Sequence, residues 1–124
     1  MAKYVPGVCN IGPAEVKKRR DIGVIWIIVS AALLGILLVF HANPFLRLLI
    51  FFPLTISFSG FYQAYFHFCA GFGMSGLYNV AKSAGNTDTV AEADFRRKDK
   101  KKAQQIFTLS IVTGIIVAIV SYFI

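Results

Sequence analysis

Two stretches of the chain, residues 22–40 and 106–124, show no polar face at any helical or strand period and carry no charged side chain. Each is close to the roughly 20 residues a helix needs to cross about 30 Å of hydrocarbon, so both predict membrane-spanning helices. A third stretch, residues 45–79, begins equally apolar and then turns small, aromatic and polar. A straight helix starting at Pro44 and rising about 1.5 Å per residue exhausts the hydrocarbon near Gln63. That depth puts Arg47 at the outer interface, with Tyr62 and Tyr65 in the same inner aromatic belt as Trp26. The pattern predicts an all-α membrane protein with three transmembrane helices. Residues 1–21 form an N-terminal segment, 22–40 the first span, 41–44 an outer turn and 45–64 the second span. Residues 65–105 form an extension, loop and basic helix, and 106–124 the last span.

Breakers and caps refine these elements. Pro6-Gly7 and Gly12-Pro13 are turn signals, and Pro13 with Glu15 opens a short helix ahead of the first span. Asn43 is placed to cap a helix whose first residue is Pro44, while Pro53 predicts a mid-span kink. Gly60, Ala64, His67, Gly71 and Ser75 share one helical face, a small-residue ridge that another backbone can approach; Ser110, Gly114 and Ala118 form a second. A helix break is expected within residues 71–76, with Phe68, Phe72, Met74, Leu77 and Tyr78 as an interfacial face beyond it. Residues 82–86 are loop by composition. Thr89 to Glu92 reads as a capping box, followed by Glu92–Arg96 and Asp94–Lys98 pairs, in a helix running unbroken into the last span. Val8 to Gly12, with its apolar and glycine-punctuated sequence, is expected to fold back as an ordered cap on residues 63–76, covering Cys9, Cys69 and His67.

At 56% hydrophobic residues and a mean hydropathy of +0.65, the chain is too apolar for a water-soluble domain. Its net charge of +7 does not point to nucleic acid, because the cations sit in two blocks flanking apolar runs. Lys17, Lys18, Arg19 and Arg20 form one; Arg96, Arg97, Lys98, Lys100, Lys101 and Lys102 form the other. Such blocks are retained on the cytoplasmic side and attract anionic lipid headgroups. Three spans put both blocks and the N-terminus in the cytoplasm and the C-terminus outside, leaving Arg47 as the outer cation. Residues 40–42, Phe-His-Ala, lack the small residue a signal peptidase needs, so the first span reads as an uncleaved anchor.

Candidate chemistry is sparse. Cys9 and Cys69 both fall at the cytoplasmic face, where a structural disulfide is disfavoured; they read as two buried thiols, or alternatively as a redox pair. With His67 they make three potential metal ligands, one short of a closed zinc site. His67 among small residues is also a position for haem or chlorin ligation, against which stands the absence of a second histidine at matching depth. No cofactor is expected on balance. The spans carry no Asp, Glu or Lys for an ion pathway, and no nucleophile motif or phosphate-binding loop is present.

Residues 9–15, Cys-Asn-Ile-Gly-Pro-Ala-Glu, with the Lys-Lys-Arg-Arg that follows, residues 60–63, and Phe-Cys-Ala-Gly-Phe-Gly at 68–73 resemble a group of small bacterial membrane proteins. The resemblance covers the first two-thirds of the chain. It implies a multi-pass protein of the bacterial inner membrane in which the Cys9 and Cys69 regions belong together, and implies no activity. The expectation is a non-catalytic accessory or structural subunit, associating with other membrane subunits or itself through its small-residue ridges. The competing class is a membrane cofactor or thiol-redox protein using Cys9, Cys69 and His67.

Overall fold

The computed structural model describes residues 4–80 and 87–124. It contains three helical segments long and apolar enough to cross a membrane. Helix α1, Pro13–Val39, opens with Pro13 where a missing N–H costs nothing, and Glu15 lies in its positive first turn. It runs straight into the first span, so the short separate helix expected at Pro13 is the first turns of a 27-residue rod. The chain turns at His41, in the left-handed conformation, and Asn43 accepts a hydrogen bond from the Phe45 N–H at 3.0 Å.

The second span has two parts, a 3-10 segment over Pro44–Ile50 and helix α2 over Phe51–Phe66. Pro53 consequently falls in the first turn of α2, where the N–H it lacks would have no intrahelical acceptor, and the expected proline kink becomes a change of helix type. Helix α2 ends at His67, also left-handed, four residues before the first of the glycines that were expected to break it. A short helix α3, Ala70–Ser75, carries those glycines and stops at Gly76, whose φ is +71°. Strand β1, Leu77–Tyr78, pairs antiparallel with strand β2, Asp88–Thr89. The loop expected over residues 82–86 lies outside the described residues.

Helix α4, Ala93–Tyr122, is the single rod expected to join the basic block to the last span. Its start is not a capping box: Thr89 is held in β2, the Val90 N–H bonds the Gly76 carbonyl at 2.8 Å, and Glu92 caps without a side-chain bond. The expected Glu92–Arg96 and Asp94–Lys98 pairs give way to other partners, with Arg96 donating to the Val90 and Ala91 carbonyls and Arg97 facing Asp94 at 3.6 Å in solvent.

Helix α2 sits between α1 and α4, each of which packs principally on it. Polar side chains turn inward: Ser57 donates to the Gly23 carbonyl of α1 at 2.7 Å, and Tyr62 bonds Thr113 of α4 at 2.8 Å. The ridges are spent inside the chain. A Cβ on Gly60 would lie 2.7 Å from the Arg19 carbonyl oxygen, and one on Gly114 would lie 2.5 Å from Thr55 Oγ1, while Ser110 and Ala118 are buried in the same seam. The proposed face Gly60, Ala64, His67, Gly71, Ser75 is interrupted at His67, and Gly71 faces open space apart from Cys69. Aliphatic side chains point outward, among them Ile25 and Ile28 on α1 and Ile115, Ile116 and Ile119 on α4, the arrangement that helices facing hydrocarbon require.

Candidate functional site

The ends of α1 and α4 that carry the basic blocks share their layer with α3, the β pair and the N-terminal segment. That segment begins with a tight turn. Val5 and Cys9 exchange backbone hydrogen bonds of 2.8 and 2.9 Å around Gly7, whose φ of +69° is glycine's natural conformation. Asn10 then enters the protein and is fully buried. Its amide donates to the Cys69 carbonyl at 3.1 Å and accepts from the Cys69 N–H at 2.6 Å, and its own N–H bonds the His67 carbonyl at 3.1 Å. This clamp supplies backbone partners that the chain loses where α2 ends. Ile11, also fully buried, bridges to Asn79, and the Gly12 N–H donates to the Asn79 carbonyl at 2.8 Å. The expected cap of residues 8–12 on residues 63–76 is therefore present, with Asn79, the residue after β1, as a further anchor.

Beneath it lies a buried ionic cluster. Arg19 donates to Glu15 at 2.6 Å across one helical turn and, through Nη2, to the Cys69 sulfur at 3.0 Å. Its guanidinium lies 5.5 Å from the centre of the Phe72 ring, a cation–π distance. Glu15 in turn accepts from the Asn79 amide at 3.2 Å. Arg19 is thus not a headgroup anchor with its neighbours Lys17, Lys18 and Arg20, which remain exposed, but an internal partner.

A second node forms where α4 passes the N-terminal turn. Asp99, in the middle of the second basic block, is fully buried and accepts from the Tyr4 hydroxyl at 2.7 Å and the Gly7 N–H at 2.8 Å. Burial and the adjacent Asp99 carboxylate push the Tyr4 phenol well above its ordinary ionisation range. Tyr4 stacks on Tyr78 at 4.5 Å between ring centres, tying the turn to β1. Arg96, Arg97, Lys98, Lys100 and Lys101 remain exposed around this node, while Lys102 lies 3.9 Å over the Phe66 ring.

The cysteines enter the same layer with different partners. Cys69 is buried against Arg19; Cys9 is half-buried, its thiol contacting the Ile11 carbonyl at 3.4 Å, and burial raises its pKa. Both are free thiols. His67 gives its backbone carbonyl to the cap while its side chain is exposed, so the cap does not cover it as expected. Phe68 was expected at the lipid interface and is instead fully buried with Ala70, Ala103 and Ile106. Among the described residues no three His, Cys, Asp or Glu side chains converge as a metal-ligand set, and Cys9, Cys69 and His67 are not gathered into one.

Sequence reasoning missed Tyr4, Asn10, Glu15, Asn79 and Asp99 as the polar framework of this end. One signal was available: an acid inside a run of six cations, and an acid one turn ahead of an arginine, are where a carboxylate finds an internal partner. No family model matches the chain, and neither a curated protein nor a solved structure matches it.

Proposed function

We propose that the protein is a non-catalytic accessory or structural subunit of the bacterial inner membrane, its basic end in the cytoplasm, assembled with a larger membrane complex or with itself. The observation that carries this reading is how little of α1 the chain uses: of its 27 residues only Glu15, Arg19, Gly23 and Ser30 are buried. The two at the start lock the cap, the other two seat the helix, and the remaining length is offered to lipid or to a partner helix. The buried ionisable groups of the cap are engaged in holding the chain together, which supports rigidity rather than turnover. The exposed lysines and arginines of both blocks suit anionic headgroups at the cytoplasmic surface.

Purification from native membranes in a mild detergent, with crosslinking and mass spectrometry, tests this. A stoichiometric partner or a defined homo-oligomer is expected; a lone monomer at native expression level overturns the proposal.

One contact favours a second reading, that of a thiol-redox membrane protein: the buried guanidinium of Arg19, 3.0 Å from the Cys69 sulfur, is positioned to stabilise a thiolate. A reversible Cys9–Cys69 bond during redox titration, stoichiometric metal, or a haem absorption band would move the assignment there.

A further inference from the structure

At the end of the bundle opposite the basic blocks, the 3-10 segment and α4 leave between them an open apolar groove of about 340 Å³, walled by Leu48, Leu49 and Phe52 on one side and Ile115 and Ile119 on the other. Arg47 neighbours the groove without lining it. The residue precedes Leu48 of one wall and, through Nη1, donates to the Ser121 and Tyr122 carbonyls just beyond Ile119 of the other, at 3.4 Å each. The guanidinium therefore ties the 3-10 segment to the end of α4 beside the groove.

Its charge is incompletely answered there. All six Asp and Glu residues of the chain, Glu15, Asp21, Asp88, Glu92, Asp94 and Asp99, belong to the basic end, and among the described residues no salt bridge involves Arg47. Its buried Nε has no acceptor among the described residues. The carbonyl end of α4 supplies only a partial negative charge, roughly half an electron. A cation held next to an apolar groove, with the hydrocarbon of a membrane beside it, is complementary to an amphiphile with an anionic head and an aliphatic tail.

We propose that Arg47 and this groove bind one phospholipid, with the phosphate against the free edge of the guanidinium and an acyl chain laid along Leu48, Phe52, Ile115 and Ile119. The site is distinct from the general attraction of anionic headgroups to the lysine-rich end, and it belongs to the other leaflet. It requires that the helices span the bilayer and is independent of whether the protein is a subunit of anything.

Native mass spectrometry of the purified protein in non-ionic detergent, titrated with phosphatidylglycerol, tests it, with diacylglycerol as the probe lacking the phosphate. One adduct is expected to saturate first with phosphatidylglycerol and not with diacylglycerol. Arg47→Gln should weaken it about fivefold, the effect of one interfacial cation. Ile119→Trp, a change on an exposed wall, should abolish it by filling the tail's seat, while Lys100→Gln with Lys101→Gln should leave it intact. Circular dichroism and melting in detergent establish that each variant is folded; Ile119→Trp keeps the test decisive if Arg47→Gln is not. An adduct unchanged in the folded variants, equal binding of diacylglycerol, or loss of the adduct only in the double lysine variant overturns the proposal.

Discussion

Replacing Asn10 by Ala removes one side chain and strands the buried N–H of Cys69, which Asn10 engages at 2.6 Å; the Cys69 carbonyl loses the Asn10 amide at 3.1 Å but keeps the Gly73 N–H at 2.9 Å. Cys69 is 5% exposed and Asn10 is 0% exposed, so water does not replace the lost partners while the cap stays closed. An unsatisfied buried group costs about 1–3 kcal/mol. One such group, with one of the carbonyl's two bonds also lost, weakens the closed cap by about 1–3 kcal/mol. The backbone bonds of Asn10 to His67 and Asn79 do not depend on its side chain, so the effect falls on local opening rather than on insertion or helix packing. Alkylation of Cys69 in native membranes reads that opening directly. In a Cys9→Ser background only one thiol reports, and if reaction proceeds through the open cap the rate should rise by about 5-fold to 150-fold. Asn10→Asp, which keeps an acceptor for the N–H but not a donor for the carbonyl, should fall between wild type and Asn10→Ala. A rise of less than about threefold in Asn10→Ala, with Cys69 equally protected, would show that Asn10 is not the clamp.

Three further outcomes are expected. Gly60→Val should loosen the α1–α2 contact by about 1–3 kcal/mol, because its new Cβ would sit 2.7 Å from the Arg19 carbonyl, whereas Gly35→Ala, with nothing within 4 Å, should be neutral or stabilising; thermal unfolding in detergent separates the two. Single cysteines placed at Lys17 and Lys100 in a cysteine-free chain should react from the same side of the membrane and one at His41 from the other, and opposite labelling of Lys17 and Lys100 would break the three-span arrangement. The Tyr4 phenol is held above its ordinary range by burial and by Asp99; a raised pKa stabilises the cap below the unfolded value, near 10, and that contribution is lost as pH climbs beyond it. Near-ultraviolet tyrosinate absorbance should accordingly show one late-ionising tyrosine that disappears in Tyr4→Phe.

The spans were legible because a charge-free run of sufficient length has few other structures open to it. Their ends were not. Glu15 and Arg19 look like part of a solvated basic flank in sequence, yet bury as a pair because α1 continues through them and the N-terminal segment closes over that face. The break in the second helix was sought at glycines, the residues best suited to left-handed backbone, but it falls on His67 because local partners finance the turn there: the Gln63 carbonyl accepts from the Phe68 N–H, and the Gln63 side chain from the Ala70 N–H at 3.0 Å. Of the glycines, Gly76 does stop a helix, the short α3, whereas Gly73 permits close approach, against Phe68 and the Asp99 carbonyl, which a sequence reading cannot tell from a helix stop. The small-residue ridge on α4 was expected to serve association with other subunits or with itself; within the chain, Gly114 packs against Thr55 and Phe51 of α2, a contact partner that a sequence reading does not identify.

Arg19 explains why the cap and the span packing form one unit. Its guanidinium is held in the cap by Glu15 and Cys69, while its backbone carbonyl lies against Gly60 at the α1–α2 crossing. The depth of α1 relative to α2 and the turn that follows it is thereby set twice by one residue, by a polar contact of its side chain to Cys69 and a steric one at its carbonyl. Sliding α1 by a single residue, about 1.5 Å, would pull the guanidinium from the Cys69 sulfur and Glu15 from the Asn79 amide, and drive a side chain of α1 into the Gly60 notch at the same time. A helix that is apolar all round has little in its own sequence to fix such a register, because one lipid-facing aliphatic residue resembles the next. The bonds that the buried Glu15 and Arg19 make to Asn79 and Cys69 supply the register that the aliphatic sequence of α1 lacks, and they do so from the end that carries the basic block, outside the charge-free run.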